Sequence, residues 1–138
     1  AVPMGANPLG DSLARQYPTQ YPDNLLIFGK TTTPKTQFDL SDGSFSKGDE
    51  LEVVEDHISG ARNNRLFKTA AEGLGLQVNY VLCVVDREQG GVANLAKSGA
   101  EMLSILTATE LLDYGVAEGH ITQARADEVN DYRISNQL

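Results

Sequence analysis

Tyr80-Val81-Leu82-Cys83-Val84-Val85-Asp86-Arg87-Glu88-Gln89-Gly90-Gly91 is the stretch that decides the fold. The uninterrupted run from Tyr80 to Val85 predicts a strand buried on both faces, as in a parallel sheet. Polar and glycine residues follow at once from Asp86 to Gly91, and then a short helix over Val92 to Lys97 closed by Gly99. Strand, polar turn and helix in that order form the repeating unit of a helix-covered α/β sheet.

Working outward, the same unit recurs on both sides. Upstream, Glu50 to Glu55 reads as a strand and His57 to Asn64 as a turn. A helix then carries Leu66, Phe67, Ala70, Ala71 and Leu74 on one face and ends near Gly73 or Gly75. Downstream, Met102 to Leu106 is a strand. Thr107 and Glu110 have the spacing of a capping box that opens a helix with Leu111, Leu112 and Tyr114. Thr122 caps a last helix running through Val129 and Tyr132. At the start, Pro8 to Gln16 reads as a helix with Asn7 as its N-cap, and Asn24 to Phe28 as a short apolar strand. Gly29 to Gly48 lacks periodicity and is long for a connection. It is a mobile lid, a disordered segment, or a loop pinned by Phe38 and Phe45. The expected architecture is α/β, three layers around a mostly parallel sheet, with residues 1–138 as a single domain.

Composition narrows the function. The chain has 138 residues, 41% of them hydrophobic, which suffices for one core. A net charge of -8 with scattered Lys and Arg argues against nucleic acid or a membrane surface as partner. There is no run of membrane-spanning length, so the expectation is a protein of the cytoplasm or another reducing soluble compartment. A lone cysteine, Cys83, excludes an internal disulfide and reads as a buried, inert thiol. His57 and His120 lack partners at metal-site spacing, so no protein metal site is expected.

Two strand ends carry candidate chemistry. Val53-Val54-Glu55-Asp56 closes an apolar strand with two carboxylates just before a turn into a helix. In parallel sheets the ligand crevice lies beyond the carboxyl ends of strands, and the following helix N-terminus favours an anion. Acidic residues there hold sugar hydroxyls or a metal bound to a phosphorylated ligand, or simply form a solvated strand end. Arg87 has the matching place after the next strand. It either pairs with a carboxylate or carbonyl of a ligand, or bridges to Glu55 or Asp56.

Asp86-Arg87-Glu88-Gln89-Gly90-Gly91, with Ala93-Asn94-Leu95 and Leu111-Leu112-Asp113, resembles the C-terminal third of orotate phosphoribosyltransferases. Val53-Val54-Glu55-Asp56 falls at that family's ribose-phosphate motif. Val2-Pro3-Met4-Gly5-Ala6 and Pro8-Leu9 resemble its pyrophosphate loop and first helix. The resemblance implies the type I phosphoribosyltransferase fold, without its N-terminal hood. It also implies that Glu55 and Asp56 hold ribose hydroxyls, that Arg87 contacts orotate, and that Mg2+ accompanies the pyrophosphate of an active member.

Three departures stand against that activity. The family's phosphate cradle reads here as Ser59-Gly60-Ala61-Arg62-Asn63, with Ala61 at a glycine position and Arg62 and Asn63 where small residues are usual. A cradle needing positive φ should be disturbed by Ala61, although Ser59, Gly60 and Arg62 still attract an anion. Of the family's cations on the pyrophosphate, Lys30 persists, Gly29 and Thr33 replace two others, and Lys35 substitutes only by a changed loop path. The strand that precedes the pyrophosphate loop in the family would lie before Ala1. Its place inside the sheet calls for a partner polypeptide, an upstream segment, or direct pairing of its neighbours. The sequence therefore favours a non-catalytic domain with a structural or regulatory role, possessing a protein partner or self-associating. The alternative is an active enzyme converting orotate and phosphoribosyl pyrophosphate to orotidine monophosphate in pyrimidine biosynthesis.

Overall fold

The computed structural model describes residues 6–16, 30–31, 38–39 and 45–138, with backbone only for the two short segments. In chain order the elements are α1 (Asn7–Gln16), β1 (Lys30–Thr31), β2 (Phe38–Asp39), β3 (Val53–Ile58), α2 (Arg62–Gly73), β4 (Tyr80–Asp86), α3 (Gly91–Ala96), β5 (Glu101–Thr107), α4 (Ala108–Ala117) and α5 (Gln123–Ser135). β3, β4 and β5 form a parallel sheet in that order, with Val53 opposite Val81 and Val81 opposite Met102. This is the expected α/β class with a parallel sheet. β1 and β2 pair antiparallel inside the region read as irregular. The anticipated strand at Asn24 to Phe28, and the gap beside it, lie outside the described residues.

The core lies between one face of the sheet and the helices α2 and α3. Phe67, Ala71, Leu95, Val53, Val78 and Val81 are fully buried there, and Phe45 packs against them. Phe45 packs against the core near the end of the long connection, while the Phe38 side chain and most of that connection lie outside the described residues. Burying a side chain the size of Phe67 contributes about 1.5–3 kcal/mol relative to leaving it in water. The stripe that α2 turns inward is Asn64, Phe67, Lys68 and Ala71, spaced for one helix face. Two of those four are polar. Lys68 is neutralised by Glu72, one turn on. Leu74, assigned to the apolar face, is instead 48% exposed, because the helix ends at Gly73 and the chain turns away through Gly75 at φ 90°.

β4 is central in the sheet, yet it is not buried on both faces. Val81, Cys83 and Asp86 are buried while Leu82, Val84 and Val85 are only partly covered. On β5 the exposure is greater, with Leu103 and Ile105 turned outward. Continuous hydrophobicity reported a buried strand but could not say how completely each face is covered.

The strand boundaries also moved. Glu50 makes only an isolated bridge to Gln77, and β3 runs from Val53 through Ile58. Ile58 is buried, so burial continues past the acidic pair and pulls it into the strand. The turn shrinks to residues 59–61. Both caps at the other end are as read: Thr107 and Glu110 form a reciprocal capping box, and the Thr122 hydroxyl accepts from the Arg125 N–H at 3.3 Å. No described helix is long and apolar enough to cross a membrane.

Candidate functional site

The acidic pair sits inside β3, and successive strand residues point to opposite faces. Glu55 turns toward α2, where Asn64 Nδ2 donates to its Oε1 at 3.2 Å. Burial raises its carboxyl to about 7, against the Asn64 hydrogen bond that lowers it and with a further upward push from Asp56. Near neutral pH Glu55 is therefore divided between a hydrogen-bond donor and an anion. Asp56 is half-exposed and accepts from the His57 N–H at 2.8 Å, with His57 Nδ1 3.2 Å away.

Beyond Ile58 the chain turns through Ser59 and Gly60 into Ala61, which adopts φ 58° and ψ 21°. That left-handed conformation costs an L-residue roughly 1 kcal/mol. Ala61 is buried and accepts it, so the expectation that alanine would disturb the turn is corrected: the methyl group tolerates the glycine-like backbone. Arg65 N–H to Ala61 O, at 3.0 Å, is the bond that opens α2. The N–H groups of residues 62–64 precede it and have no acceptor within the helix. Ala61 supplies no capping side chain. The turn therefore presents open donors beside the positive end of a twelve-residue helix.

Glu55, Asp56, Ser59, Gly60 and Arg62 all line one open cavity of about 800 Å3 that wraps the end of β3. Asn63, Asn64, Asn94 and Leu138 complete its wall. Arg87 is not part of that wall. Its N–H donates to Ile58 O at 2.8 Å, tying the two strand ends together. No ion pair to Glu55 or Asp56 accompanies it among the described residues. The structural role imagined for Arg87 is thus met by its backbone and not by its charge. Lys30 lies in β1 with its side chain outside the described residues, and Lys35 lies outside them altogether.

Glu88, two residues past the strand, is also left-handed at φ 55°. Thr109 donates to its carboxylate from N–H at 2.8 Å and from the hydroxyl at 2.7 Å, and Arg133 of α5 pairs with the same oxygen. Burial pushes this carboxyl up, but the Thr109 donors and the Arg133 charge outweigh it and hold it below the usual glutamate value. Gln89 is buried, and its amide donates to Asn136 O at 3.0 Å. Most polar groups of this loop are therefore engaged by the C-terminal helix and the residues after it.

Mg2+ prefers several oxygen ligands and keeps much of its water, binding proteins mostly through one or two carboxylates plus substrate phosphates. No group of three acidic, His or Cys side chains among the described residues could hold the ion, and Glu55 and Asp56 are the carboxylates that line the cavity. These residues do not fit a protein-built magnesium site. Cys83 is buried, and burial raises its thiol to about 11, so it is no nucleophile at neutral pH.

Asn64, Asn94 and the segment after α5 were not anticipated as part of the site. Asn64 left a trace in the sequence, as a polar residue on the stripe that α2 buries. Asn94 lay within the recognised motif without a role attached. The tail left no signal.

No protein-family model matches the chain. It is similar to curated orotate phosphoribosyltransferases: 33% identical over 112 residues to that of Halobacterium salinarum, covering 81% of this chain and 62% of the relative. The likeness to that of Methanocella arvoryzae is 37% over 75 residues, covering 54% and 43%. The chain therefore spans less than two thirds of the length of these relatives. In fold it resembles Leishmania donovani UMP synthase at a TM-score of 0.81 and 21% identity, covering 97% of this chain and 28% of that one. The Aeropyrum pernix orotate phosphoribosyltransferase follows at 0.63 and 19% identity, covering 82% and 61%.

Proposed function

We propose, from the premise that this chain belongs to the orotate phosphoribosyltransferase family and spans part of its length, that the domain holds a phosphorylated ribose without transferring it. The observation that carries binding is the turn at Ala61, which keeps a left-handed backbone and open helix donors beneath two carboxylates. Phosphate oxygens accept from those N–H groups, and Arg62 adds a positive charge at the rim. Glu55 and Asp56 accept from sugar hydroxyls, Glu55 more strongly above its midpoint near 7.

The reading against transfer rests on the sequence. Displacing pyrophosphate needs cations on its developing charge, and Gly29 and Thr33 stand where the family resemblance places two of them. Missing two such groups removes several kcal/mol of transition-state stabilisation, on the order of 10^2–10^3 in rate for each. The domain thus acts as a regulatory or structural unit, with a protein partner or a second copy completing the assembly. A second reading, transfer of phosphoribose to orotate with Lys30 and Lys35 on the pyrophosphate, draws support from the same preserved turn.

One experiment separates them. Phosphoribosyl pyrophosphate with Mg2+ is titrated while the Gly60 and Asn63 amides are followed, and orotate is then added while pyrophosphate is assayed. The proposal expects saturable shifts and no release above background. Release at an enzymatic rate would establish the second reading, and absence of any shift at millimolar ligand would end both.

A further inference from the structure

The residues after α5 are exposed, yet they hydrogen-bond back to the loop after β4, and Leu138 reaches the turn at Gly60. Leu138 N–H donates to Gln89 O at 3.0 Å, and Gln137 Nε2 donates to Glu88 O at 3.1 Å. Gln89 Nε2 returns a bond to Asn136 O at 3.0 Å. Asn94 joins this seam to the cradle itself. Its Nδ2 donates to Leu138 O at 2.8 Å and to Gly60 O at 3.1 Å. The fit is close. A methyl group on Gly60 would stand 2.5 Å from Leu138 Cβ, and one on Gly90 would stand 2.7 Å from Leu138 O. Leu138 is also part of the wall of the cavity that holds Glu55, Asp56 and Arg62.

We propose that Asn136–Leu138 is a strap closed against the phosphate cradle, and that it must lift before a phosphate group seats on residues 59–63. The inference rests on the sugar-phosphate reading above and adds a regulatory device to it. The Leu138 side chain, with its main-chain carbonyl carbon behind it, occupies the side of the cradle at Gly60, and an arriving anion needs that approach. The fastenings of Asn136, Gln137 and Leu138 are few, and the Gln137–Glu88 and Asn94–Leu138 bonds are exposed. Net hydrogen bonds of this kind are individually weak, so the strap can open without unfolding the sheet. Asn94 serves as its latch, because one amide group spans the cradle carbonyl and the strap. α5 is the anchor, held to the same loop by the Arg133–Glu88 pair. A partner that captured residues 136–138 would open the cradle from outside, giving the domain a route by which protein binding and anion binding promote each other.

The magnitude follows from population. A strap closed about nine-tenths of the time lowers apparent affinity for the anion about tenfold. The test compares the full chain, a chain ending at Ser135, and the full-length double variant Gln137→Ala/Leu138→Gly, which guards against poor folding of the shortened chain. Each is titrated with inorganic phosphate and, separately, with ribose 5-phosphate, following the Gly60 and Asn63 amides. Removing the strap should tighten both ligands about tenfold, and the double variant should tighten them about threefold. In the full chain the Gln137 side-chain amide should shift with the same midpoint as Gly60. Equal affinity in all three chains, or weaker binding without the strap, overturns the inference and leaves the binding reading standing. A gain with ribose 5-phosphate alone would put the contact at the sugar and overturns the strap as drawn. No binding by any of the three chains ends both the strap and the reading beneath it.

Discussion

The loops that follow β3 and β4 occupy equivalent places at the carboxyl edge of the same sheet, yet they are built in opposite ways. The turn at residues 59–61 leads into α2 without a capping side chain, so the first N–H groups of that helix, residues 62–64, stay open beside a cavity. Residues 87–90 have most of their polar groups engaged: the Glu88 carboxylate accepts from Thr109 and Arg133, the Glu88 carbonyl accepts from Gln137, and the Gln89 amide donates to Asn136 O. Each loop holds one non-glycine residue in the left-handed region, Ala61 in the first and Glu88 in the second. The first tolerates the strain to aim its backbone outward, and the second is clamped by side chains from α4 and α5. The more distinctive motif is therefore the less available one. A hexapeptide that announces a family in sequence can be committed to holding a helix in place, while the plainer turn keeps the open donors.

Arg133→Ala is the strongest way to break this contrast. Arg133 is nearly buried, and its loss leaves Glu88 in a strained turn without its cation, at a cost of roughly 2–3 kcal/mol in urea unfolding. Glu88 is held below its ordinary value, so its contribution is present above the unfolded glutamate range and is lost as pH falls below that range. The Arg133→Ala deficit should accordingly shrink in acid. A deficit independent of pH would show that the clamp is not electrostatic.

Glu55→Gln probes the other loop. A carboxyl raised to about 7 contributes stability below the unfolded value and loses it as pH rises through 7. The glutamine variant should therefore match the parent near pH 4.5 and exceed it by roughly 1–2 kcal/mol at pH 8, after allowance for partial solvent access. Stability that is equal at both pH values would mean Glu55 is not desolvated. Asn64→Leu should raise the Glu55 midpoint further, since the amide hydrogen bond lowers it. A carbon-detected titration of Glu55 reads that directly.

Ala61→Gly is smaller still. Removing the methyl relieves the left-handed penalty but frees the unfolded chain, so the gain should be about 0.5 kcal/mol. Ala61→Val should instead lose roughly 1–2 kcal/mol, because a branched side chain resists positive φ. If valine proves neutral in thermal unfolding, the turn is not held as described. Thr107→Ala, which opens the capping box beside the Glu88 clamp, should cost about 1 kcal/mol by the same measurement.

Much of the fold could be read in the sequence, because it depends on local patterns. The run from Tyr80 to Val85, the capping pair Thr107 and Glu110, and the glycines at 75 and 99 each act over a few residues. The family likeness at Asp86–Gly91 and Val53–Asp56 was legible for a different reason, since it needs only collinear spacing. What escaped were long-range matters: where β3 ends, how far each sheet face is covered, and which polar groups of a motif are already engaged.

The sequence by itself determined the order of strands and helices from Val53 onward and the turn after the acidic pair that leads into a helix N-terminus. Only the tertiary structure decided that alanine can sustain that turn, that Asn64 buries beside Glu55, and that Leu138 stands against Gly60. The reason is physical. A backbone turn and an amphipathic face are set within one or two helical turns of sequence. A hydrogen bond from Asn94 to Leu138 joins residues 44 apart and exists only because the sheet and α5 have first been packed together.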